Sequence, residues 1–227
     1  EDESKLLIKI DPQERLTSEI GQLTNLTELD LNDNQLTSLR PEIGQLNNLT
    51  TLDLDGNDLT DLPPQIGQLT NLTKLYLSEN QLTSLPPQIG QLNNLRKLYL
   101  LSNHLSELPT QIESLENLQL LYINSNELSS IPSQLTNLPE LKKLSLGDND
   151  LTAQQINDFL PKIPQIEVLY LGDLKLSKLP EAVLKLENLK ELHLENYKND
   201  PSNHNVFSPD QRVLIRRKLP NCEVTFE

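Results

Sequence analysis

Six asparagines in this chain recur at a constant interval of 23 residues. They are Asn34, Asn57, Asn80, Asn103, Asn126 and Asn149. Around them leucine or isoleucine returns in the frame L-x-x-L-x-L-x-x-N-x-L-x-x-L-P-x-x-I-x-x-L. A period of this length is typical of repeat architectures, in which each unit is too small to bury its own apolar face and packs against its neighbours.

Each copy of the frame contains the signals for one strand, one turn and one short return segment. In Leu-x-Leu the side chains alternate, so Leu29 and Leu31 are predicted to point inward and Asp30 outward. The asparagine that follows can both donate and accept hydrogen bonds, which suits the backbone groups of stacked turns. The Leu-Pro-x-x-Ile segment is too short for an independent helix and is predicted to be extended or 3₁₀.

The repeat extends beyond the asparagines in both directions. Two more copies, which begin at Ile166 and Leu189, keep the leucines but lack the asparagine, so we expect leucine packing to hold the last two coils. A degenerate first repeat contains Leu6, Ile8, Asp11, Leu16, Ile20 and Leu23. The predicted organisation is a degenerate repeat over 1–25, eight repeats over 26–200 and a C-terminal cap over 201–227.

Two segments depart from the frame. The spacing from Asn149 to Leu174 is 25, and residues 153–160 have helical periodicity, which predicts a helix in that coil. In the cap, Ser208-Pro209-Asp210-Gln211 has the pattern of a helix start, and the helix is predicted to reach about Lys218. Val213, Leu214 and Leu219 are expected to cover the last coil, and Cys222, Val224 and Phe226 alternate as a final strand.

The frame resembles that of the leucine-rich-repeat proteins over roughly residues 5–200. Leu62-Pro63 followed by Ile66-Gly67-Gln68-Leu69 is similar to the bacterial and intracellular subclass. The resemblance implies an α/β solenoid, a right-handed horseshoe with a concave parallel sheet and mostly extended or 3₁₀ convex segments. It also implies protein binding, although a fold by itself identifies only a class of function.

Charge and cysteine content limit the classes of partner. The net charge of −14 and pI of about 4.6 disfavour nucleic acid and anionic lipid surfaces, and favour a basic or amphipathic protein partner. The sequence has no apolar run near the roughly 18 residues of a membrane-spanning helix, so no membrane insertion is expected. The single cysteine, Cys222, cannot form an intrachain disulfide.

Tyrosines dominate the outward positions of the predicted sheet. The middle outward column is predicted to contain Asp30, Asp53, Tyr76, Tyr99, Tyr122, Ser145, Tyr170 and His193. Leu101 and Leu120 are apolar at neighbouring positions where the frame predicts solvent. Tyrosine offers a large rigid contact area with a polar tip, so this column is a candidate partner-binding site. The alternative is that tyrosine is retained for packing within the sheet.

Charged residues border the tyrosines. Acidic residues crowd the first two coils, and Lys74, Lys97 and Lys143 form a column beside the tyrosines. With Asp30 and Asp53, the lysines Lys74 and Lys97 are included in the predicted partner-binding set. A lysine-rich partner or a divalent cation would relieve the acidic repulsion, and a solvated acidic face is the alternative.

The sequence offers no catalytic constellation and no cofactor site. No serine, threonine or cysteine has a base at a meaningful spacing, and only seven glycines are present, none in a phosphate-binding loop. Asp53 to Asp58 fails the calcium-loop pattern, and Glu191, His193 and Glu195 are spaced too widely along a strand for one metal ion. His104 and His204 have no partner suggested by spacing and are expected at the surface.

Two functions from different classes follow. The first is a bacterial recognition protein, secreted or at the cell surface, that binds a protein partner on its concave face. The second is the recognition arm of a larger enzyme or GTPase with an upstream catalytic domain; no amphipathic helix precedes Leu6, and the chain begins Glu1-Asp2-Glu3 without methionine. A homodimer formed through the concave faces or the first coil is a third possibility.

Overall fold

The computed structural model describes residues 4–7, 18–196 and 201–226. Within those residues the chain forms one sheet of ten parallel strands that lie side by side in sequence order. The strands are β1 Lys5–Leu7, β2 Glu28–Asp30, β3 Thr51–Asp53, β4 Lys74–Tyr76, β5 Lys97–Tyr99, β6 Leu120–Tyr122, β7 Lys143–Ser145, β8 Val168–Tyr170, β9 Glu191–His193 and β10 Glu223–Thr225. The predicted leucine-rich-repeat solenoid is confirmed.

The strands are held in one register by the repeat period. Leu29 of β2 lies opposite Leu52 of β3, and Leu52 lies opposite Leu75 of β4. These central leucines are almost wholly buried and belong to one continuous apolar core that runs the length of the solenoid. The neighbouring outward positions are therefore also aligned from strand to strand, which places the candidate site on one face of the sheet.

Short 3₁₀ helices return the chain on the opposite side, as the sequence predicts. They are Ser18–Gln22, Pro41–Gln45, Pro64–Gln68, Pro87–Gln91, Thr110–Ser114, Ser133–Asn137, Leu160–Lys162, Glu181–Lys185 and Pro201–Asn203. In the regular coils proline fixes the backbone at the start of the helix, and the isoleucine of the frame points into the core, as Ile66 does. Helices of one turn need little room between coils, so strands and turns stay stacked.

Two α-helices occur among the described residues, both at predicted positions. Helix α1, Ala153–Phe159, begins with a reciprocal capping box between Thr152 and Gln155. Helix α2, Pro209–Lys218, begins with the same arrangement between Ser208 and Gln211. After α2 the chain forms β10, and Val224 there lies opposite Leu192 of β9.

The apolar face of α2 differs from the prediction. Val213 and Leu214 are exposed, at 66% and 38% of their side-chain surface, whereas Ile215 and Leu219 are buried. Residues four apart share one side of a helix, so Ile215 and Leu219 form the packed stripe and Val213 falls outside it. Leu219 is therefore the only one of the three predicted covering residues that is buried.

The repeated asparagines form a buried ladder at the ends of the strands. The side-chain oxygen of Asn57 accepts hydrogen bonds from the backbone N–H groups of Asn34 and Leu36, in the preceding coil, at 3.1 and 2.9 Å. Its amide group donates to the carbonyls of Leu31 and Leu54. From Asn57 to Asn149, each ladder asparagine thus satisfies backbone groups of two coils, which is the role predicted for it.

The last coils have a ladder residue that the sequence frame does not predict. Asn205, from the loop before α2, accepts hydrogen bonds from the N–H groups of Leu174 and Leu176 at 3.1 and 3.0 Å. Its amide donates to the carbonyl of Leu171 at 2.7 Å. The hydrogen bonds of an asparagine outside the repeat thus add to the leucine packing that was expected to be the main support of these coils.

The first repeat is described only in part. Strand β1 pairs with β2, with Leu6 opposite Leu29, and Ile20 is buried in the core. Leu23, also assigned to this frame, is 40% exposed and does not join the core. The remaining frame positions, Ile8, Asp11 and Leu16, lie outside the described residues.

Candidate protein-binding surface

One outward column of the sheet contains the residues predicted to lie there. Backbone pairing places Asp30 beside Asp53, and the column continues across the sheet to His193. In order it contains Asp30, Asp53, Tyr76, Tyr99, Tyr122, Ser145, Tyr170 and His193. The four tyrosines and the histidine are partly exposed, and we refer to these five side chains as the aromatic row.

The rings of the aromatic row contact one another in sequence. Tyr76 and Tyr99 stack with centroids 4.6 Å apart and planes within 8°. Tyr99 meets Tyr122 edge to face at 5.5 Å. At the other end, Tyr170 and His193 stack at 4.1 Å and 7°. Such pairs restrict ring motion, so the row offers a partner an aromatic surface that is already ordered.

Strand β7 contributes a serine where its neighbours contribute tyrosine. Ser145 is buried, and its hydroxyl donates to the side-chain oxygen of Asn124 at 2.9 Å. Strands two apart are separated by roughly 10 Å, yet the centroids of Tyr122 and Tyr170 are 5.3 Å apart. The small serine leaves room for the two rings to lean toward each other above β7.

Burial and nearby carboxylates raise the pKa of three phenols in the row. Burial is the largest cause at Tyr76, followed by the charges of Asp53 and Asp55. Burial also raises the pKa of Tyr99. At Tyr122 burial and the hydrogen bond with Tyr170 act together to raise the pKa. These hydroxyls are neutral donors and acceptors at physiological pH.

The lysines form the predicted column beside the row, but the two leucines differ in exposure. Lys74 and Lys97 lie side by side, and Leu120 and Lys143 continue the column. Leu101 is partly exposed, as expected. Leu120 was expected to face solvent and is instead only 7% exposed. It lies between Lys97 and Lys143, whose long aliphatic stems stand on either side of it in register.

The acidic end of the column is organised by local hydrogen bonds. Asp30 accepts from the N–H of Asn32, and Asp53 accepts from the N–H of Asp55, both at 3.0 Å. Asp55 in turn accepts from the N–H of Ser78. Burial raises the pKa of Asp55 to about 6, and the charge of Asp53 adds to the shift. The carboxylate repulsion inferred from the sequence is therefore present at Asp55.

His193 ends the row within a hydrogen-bonding group. Its Nδ1 lies 3.0 Å from the Thr225 hydroxyl and 3.5 Å from a Glu195 oxygen, and its Nε2 lies 3.4 Å from Glu191. This arrangement holds the ring parallel to Tyr170. Among the described residues no three His, Cys, Asp or Glu side chains are grouped to hold a metal ion.

Two histidines that were expected to have no partner have acidic neighbours. His104 Nδ1 lies 2.9 Å from Glu127 Oε1, one repeat further along the chain. His204 Nε2 lies 3.9 Å from Asp173 Oδ1. The expectation that spacing suggests no partner is wrong for His104, because residues 23 apart are lateral neighbours in this fold. The expected surface position agrees with the exposed His104, and His204 is partly exposed.

A groove beside the aromatic row was not predicted. It has a volume of about 470 Å³ and lies where strands β6 to β8 end. Its lining consists of Leu101, Ser102, Tyr122, Asn124, Ser125, Ser145, Gly147, Asp148, Tyr170, Gly172 and Asp173. The sequence signal for it is the pair of Leu-Gly-Asp segments, 146–148 and 171–173, which place glycine where other coils have larger residues.

Solved structures with the same architecture come from bacteria and plants. An internalin C2 from Listeria monocytogenes is 26% identical with a TM-score of 0.66, over 93% of this chain and 84% of that chain. The L. monocytogenes internalin inlF is 21% identical with a TM-score of 0.69, over 92% of this chain and 56% of that chain, and shows the fold alone. The plant peptide hormone receptor RGFR1, in complex with RGF2, is 28% identical with a TM-score of 0.60, over 84% of this chain.

The chain thus spans 56% of inlF and 30% of the plant receptor chain. No curated protein matches the sequence. None of the helices in the described part of the chain combines the length and the apolar character needed to cross a bilayer.

Family comparison covers most of the regular coils. The leucine-rich repeat region family matches residues 11–103, and the leucine rich repeat family matches residues 93–151. Domains of this kind are typically interaction modules without catalytic activity of their own. The chain belongs to the leucine-rich-repeat proteins.

Proposed function

We propose that this chain binds a protein partner through the aromatic row, as part of a bacterial protein that is secreted or exposed at the cell surface. The observation that carries the proposal is the contact of successive rings from Tyr76 to His193 across six strands, β4 to β9. Partly exposed aromatic side chains in ordered contact are enriched at the centres of protein interfaces.

The surroundings of the row fit a protein better than a small molecule. Lys74 and Lys97 border it on one side, and partly exposed Leu101 lies on the other. Asp30 and Asp53 extend the column beyond Tyr76. An apolar aromatic centre with a charged border is the usual composition of an interface, and the acidic end favours a basic or amphipathic partner.

The bacterial surface assignment is supported by similarity to internalin C2, which covers 84% of that protein. Peptide binding has a parallel in the plant receptor, which was solved in complex with RGF2.

The decisive experiment is a pull-down that compares the wild type with the double variant Tyr99→Ser/Tyr122→Ser. The wild type should capture a partner from a lysate or surface fraction, and the variant should lose at least tenfold in affinity, since central aromatic residues often contribute about 2 kcal/mol or more each. Circular dichroism checks that the variant remains folded.

A matched control changes two exposed positions on the opposite side, Gln91→Ser/Glu116→Ser. This variant should bind like the wild type. Equal binding by the tyrosine variant, or equal loss by the control, would show that the aromatic row is not the interface and that tyrosine serves packing within the sheet.

A second candidate is a recognition arm within a larger protein, with the chemistry performed by another domain. This candidate is favoured by the greater length of two similar solved chains, since this chain spans only 56% of inlF and 30% of the plant receptor chain. The complete open reading frame distinguishes this candidate from a protein that consists of the recognition module alone.

A further inference from the structure

The groove beside the aromatic row exists because three neighbouring positions carry small residues. Ser145 replaces a tyrosine in the row, and Gly147 and Gly172 occupy the column in which Leu101 and Asn124 lie in earlier coils. Gly147 is required by a close backbone approach: a Cβ there would lie 2.6 Å from the carbonyl oxygen of Gly172. The floor of the groove is therefore backbone and small side chains.

The lining of the groove combines aromatic and acidic side chains. Tyr122 and Tyr170 lean together over Ser145 and form one wall. Asp148 and Asp173 each follow one of the two glycines, and their coils are joined by the hydrogen bond from Asp148 N–H to the Gly172 carbonyl. Of the described residues that line the groove, only these two are charged, and both are carboxylates.

A further carboxylate near the groove adds to the negative potential of Asp148 and Asp173. Glu191 is close enough to Tyr122 to contribute to the raised pKa of that phenol. Two basic groups lie outside the lining: Lys175 borders a neighbouring depression that Asp148 also lines, and the ring of His204 lies 3.9 Å from Asp173. A cation that enters the groove would lie near the carboxylate of partly exposed Asp148 and the rings of Tyr122 and Tyr170, and the buried carboxylate of Asp173 adds to the negative potential there.

We propose that this groove receives an arginine side chain of the partner protein. The proposal rests on the proposed function and names one chemical feature of the partner. Guanidinium is planar, stacks on aromatic faces and donates several hydrogen bonds in one plane to carboxylates, whereas the ammonium of lysine is a compact and strongly hydrated charge. Two aromatic rings in one groove with an accessible carboxylate at Asp148 fit the guanidinium better.

The test uses defined probes on the isotopically labelled full chain, followed by NMR. N-acetyl-arginine amide should cause saturable shifts of the Gly147 and Gly172 amide signals. N-acetyl-citrulline amide has nearly the same shape without the charge and should cause none, and the lysine analogue should bind at least threefold more weakly. Citrulline shifts equal to those of arginine, or arginine shifts at residues 28–58 alone, would overturn the proposal.

Substitutions in the groove complete the test. Asp148→Asn/Asp173→Asn should weaken arginine binding at least fivefold. Because Asp173 is buried, the single variant Asp148→Asn, at a partly exposed site, keeps the test valid if the double variant unfolds. Asp33→Asn is the matched control, since Asp33 has the same left-handed backbone after its strand (φ 52° against 49° for Asp148) and lies far from the groove. Undiminished binding by Asp148→Asn would contradict the proposal.

The two proposals fail separately. Tyr99 does not line the groove. If Tyr99→Ser abolishes partner capture while the arginine probe shows no saturable shift, the aromatic row is the interface and the arginine proposal is wrong. If the probe binds as expected and Tyr99→Ser still captures the partner, the arginine groove stands and the row is not the interface.

Discussion

The phenol oxygens of Tyr122 and Tyr170 lie 3.3 Å apart, although β7 separates the strands that carry them. The hydrogen bond between them closes the gap that Ser145 leaves in the aromatic row. It also fixes the two rings that form one wall of the groove. Ser145 interrupts the series of tyrosines in the sequence, but its small side chain lets Tyr122 and Tyr170 contact each other and leaves space for the groove beside them.

A spectrophotometric titration should reveal the buried phenol. Burial and the hydrogen bond with Tyr170 raise the pKa of Tyr122, so its phenolate should form at higher pH than that of free tyrosine. In Tyr122→Phe the phenolate absorbance at high pH should fall by the contribution of one tyrosine, while Tyr76 and Tyr99, whose pKa values are also raised, still titrate late. If the wild type and Tyr122→Phe differ by a tyrosine with an ordinary pKa, the ring is more exposed than described here.

Removal of one ladder asparagine should cost much of the stability of its coils. Asn57→Ala leaves the N–H groups of Asn34 and Leu36 without their acceptor, and we expect a loss of about 3 kcal/mol because each buried unsatisfied group costs roughly 1–3 kcal/mol. Urea unfolding and amide exchange at Leu36 measure this. Asn48→Ala, which removes one exposed hydrogen bond to the Thr24 carbonyl, is the control and should cost less than about 1 kcal/mol.

Asn205 should be as important to the last coils as the repeated asparagines are to the others. Asn205→Ala removes the acceptor for Leu174 and Leu176, so amide exchange at these two residues should accelerate strongly, with a loss of about 2–4 kcal/mol. Asn203→Ala, in the same loop, should change little, because the Lys175 N–H bonds to the backbone carbonyl of Asn203. Protection that survives in Asn205→Ala would indicate that leucine packing suffices after all.

The pH dependence of stability should include a contribution from Asp55. Burial raises its pKa from 3.8 to about 6, so the folded state binds this proton more tightly than the unfolded state. The contribution of Asp55 to the free energy of unfolding should therefore increase as pH falls from about 7 to about 4, and the wild type should gain relative to Asp55→Asn in that window. Denaturant unfolding at several pH values measures the difference.

The exposed Asp61→Asn serves as the control for Asp55 and should show the pH dependence of the wild type. A carboxyl NMR titration of Asp55 with a midpoint near 4 would contradict the assignment.

The period of the repeat was sufficient to predict the strands, their order and the aromatic row. It fixes which residues are lateral neighbours, so Tyr76 beside Tyr99 and Lys74 beside Lys97 follow from spacing alone. The pair His104 and Glu127 follows from the same spacing, because residues 23 apart lie on adjacent coils. Within the regular coils, two residues that are 23 apart in the sequence lie side by side on adjacent coils.

Features outside the period were harder to predict. Asn205 is in a loop with no frame position, so nothing in the sequence aligns it with the ladder. Ile215 is buried and Val213 is exposed because of the rotation of α2 about its axis. Contacts of α2 with the last coil determine that rotation. The groove arises because Ser145, Gly147 and Gly172, in two columns and two coils, all lack a large side chain. Such an absence becomes meaningful only when the backbone positions are known.

The equal spacing of the ladder asparagines has a consequence for how such a chain can change length. In the regular coils each asparagine bonds to its own coil and the preceding one, and the 3₁₀ helices of these coils have the same bounds relative to it. Deletion or duplication of a 23-residue unit between residues 49 and 117 would therefore present every remaining coil with an equivalent neighbour. Recombination could lengthen or shorten the sheet by one strand and its outward side chains at a time, while the packing of the interior stays the same.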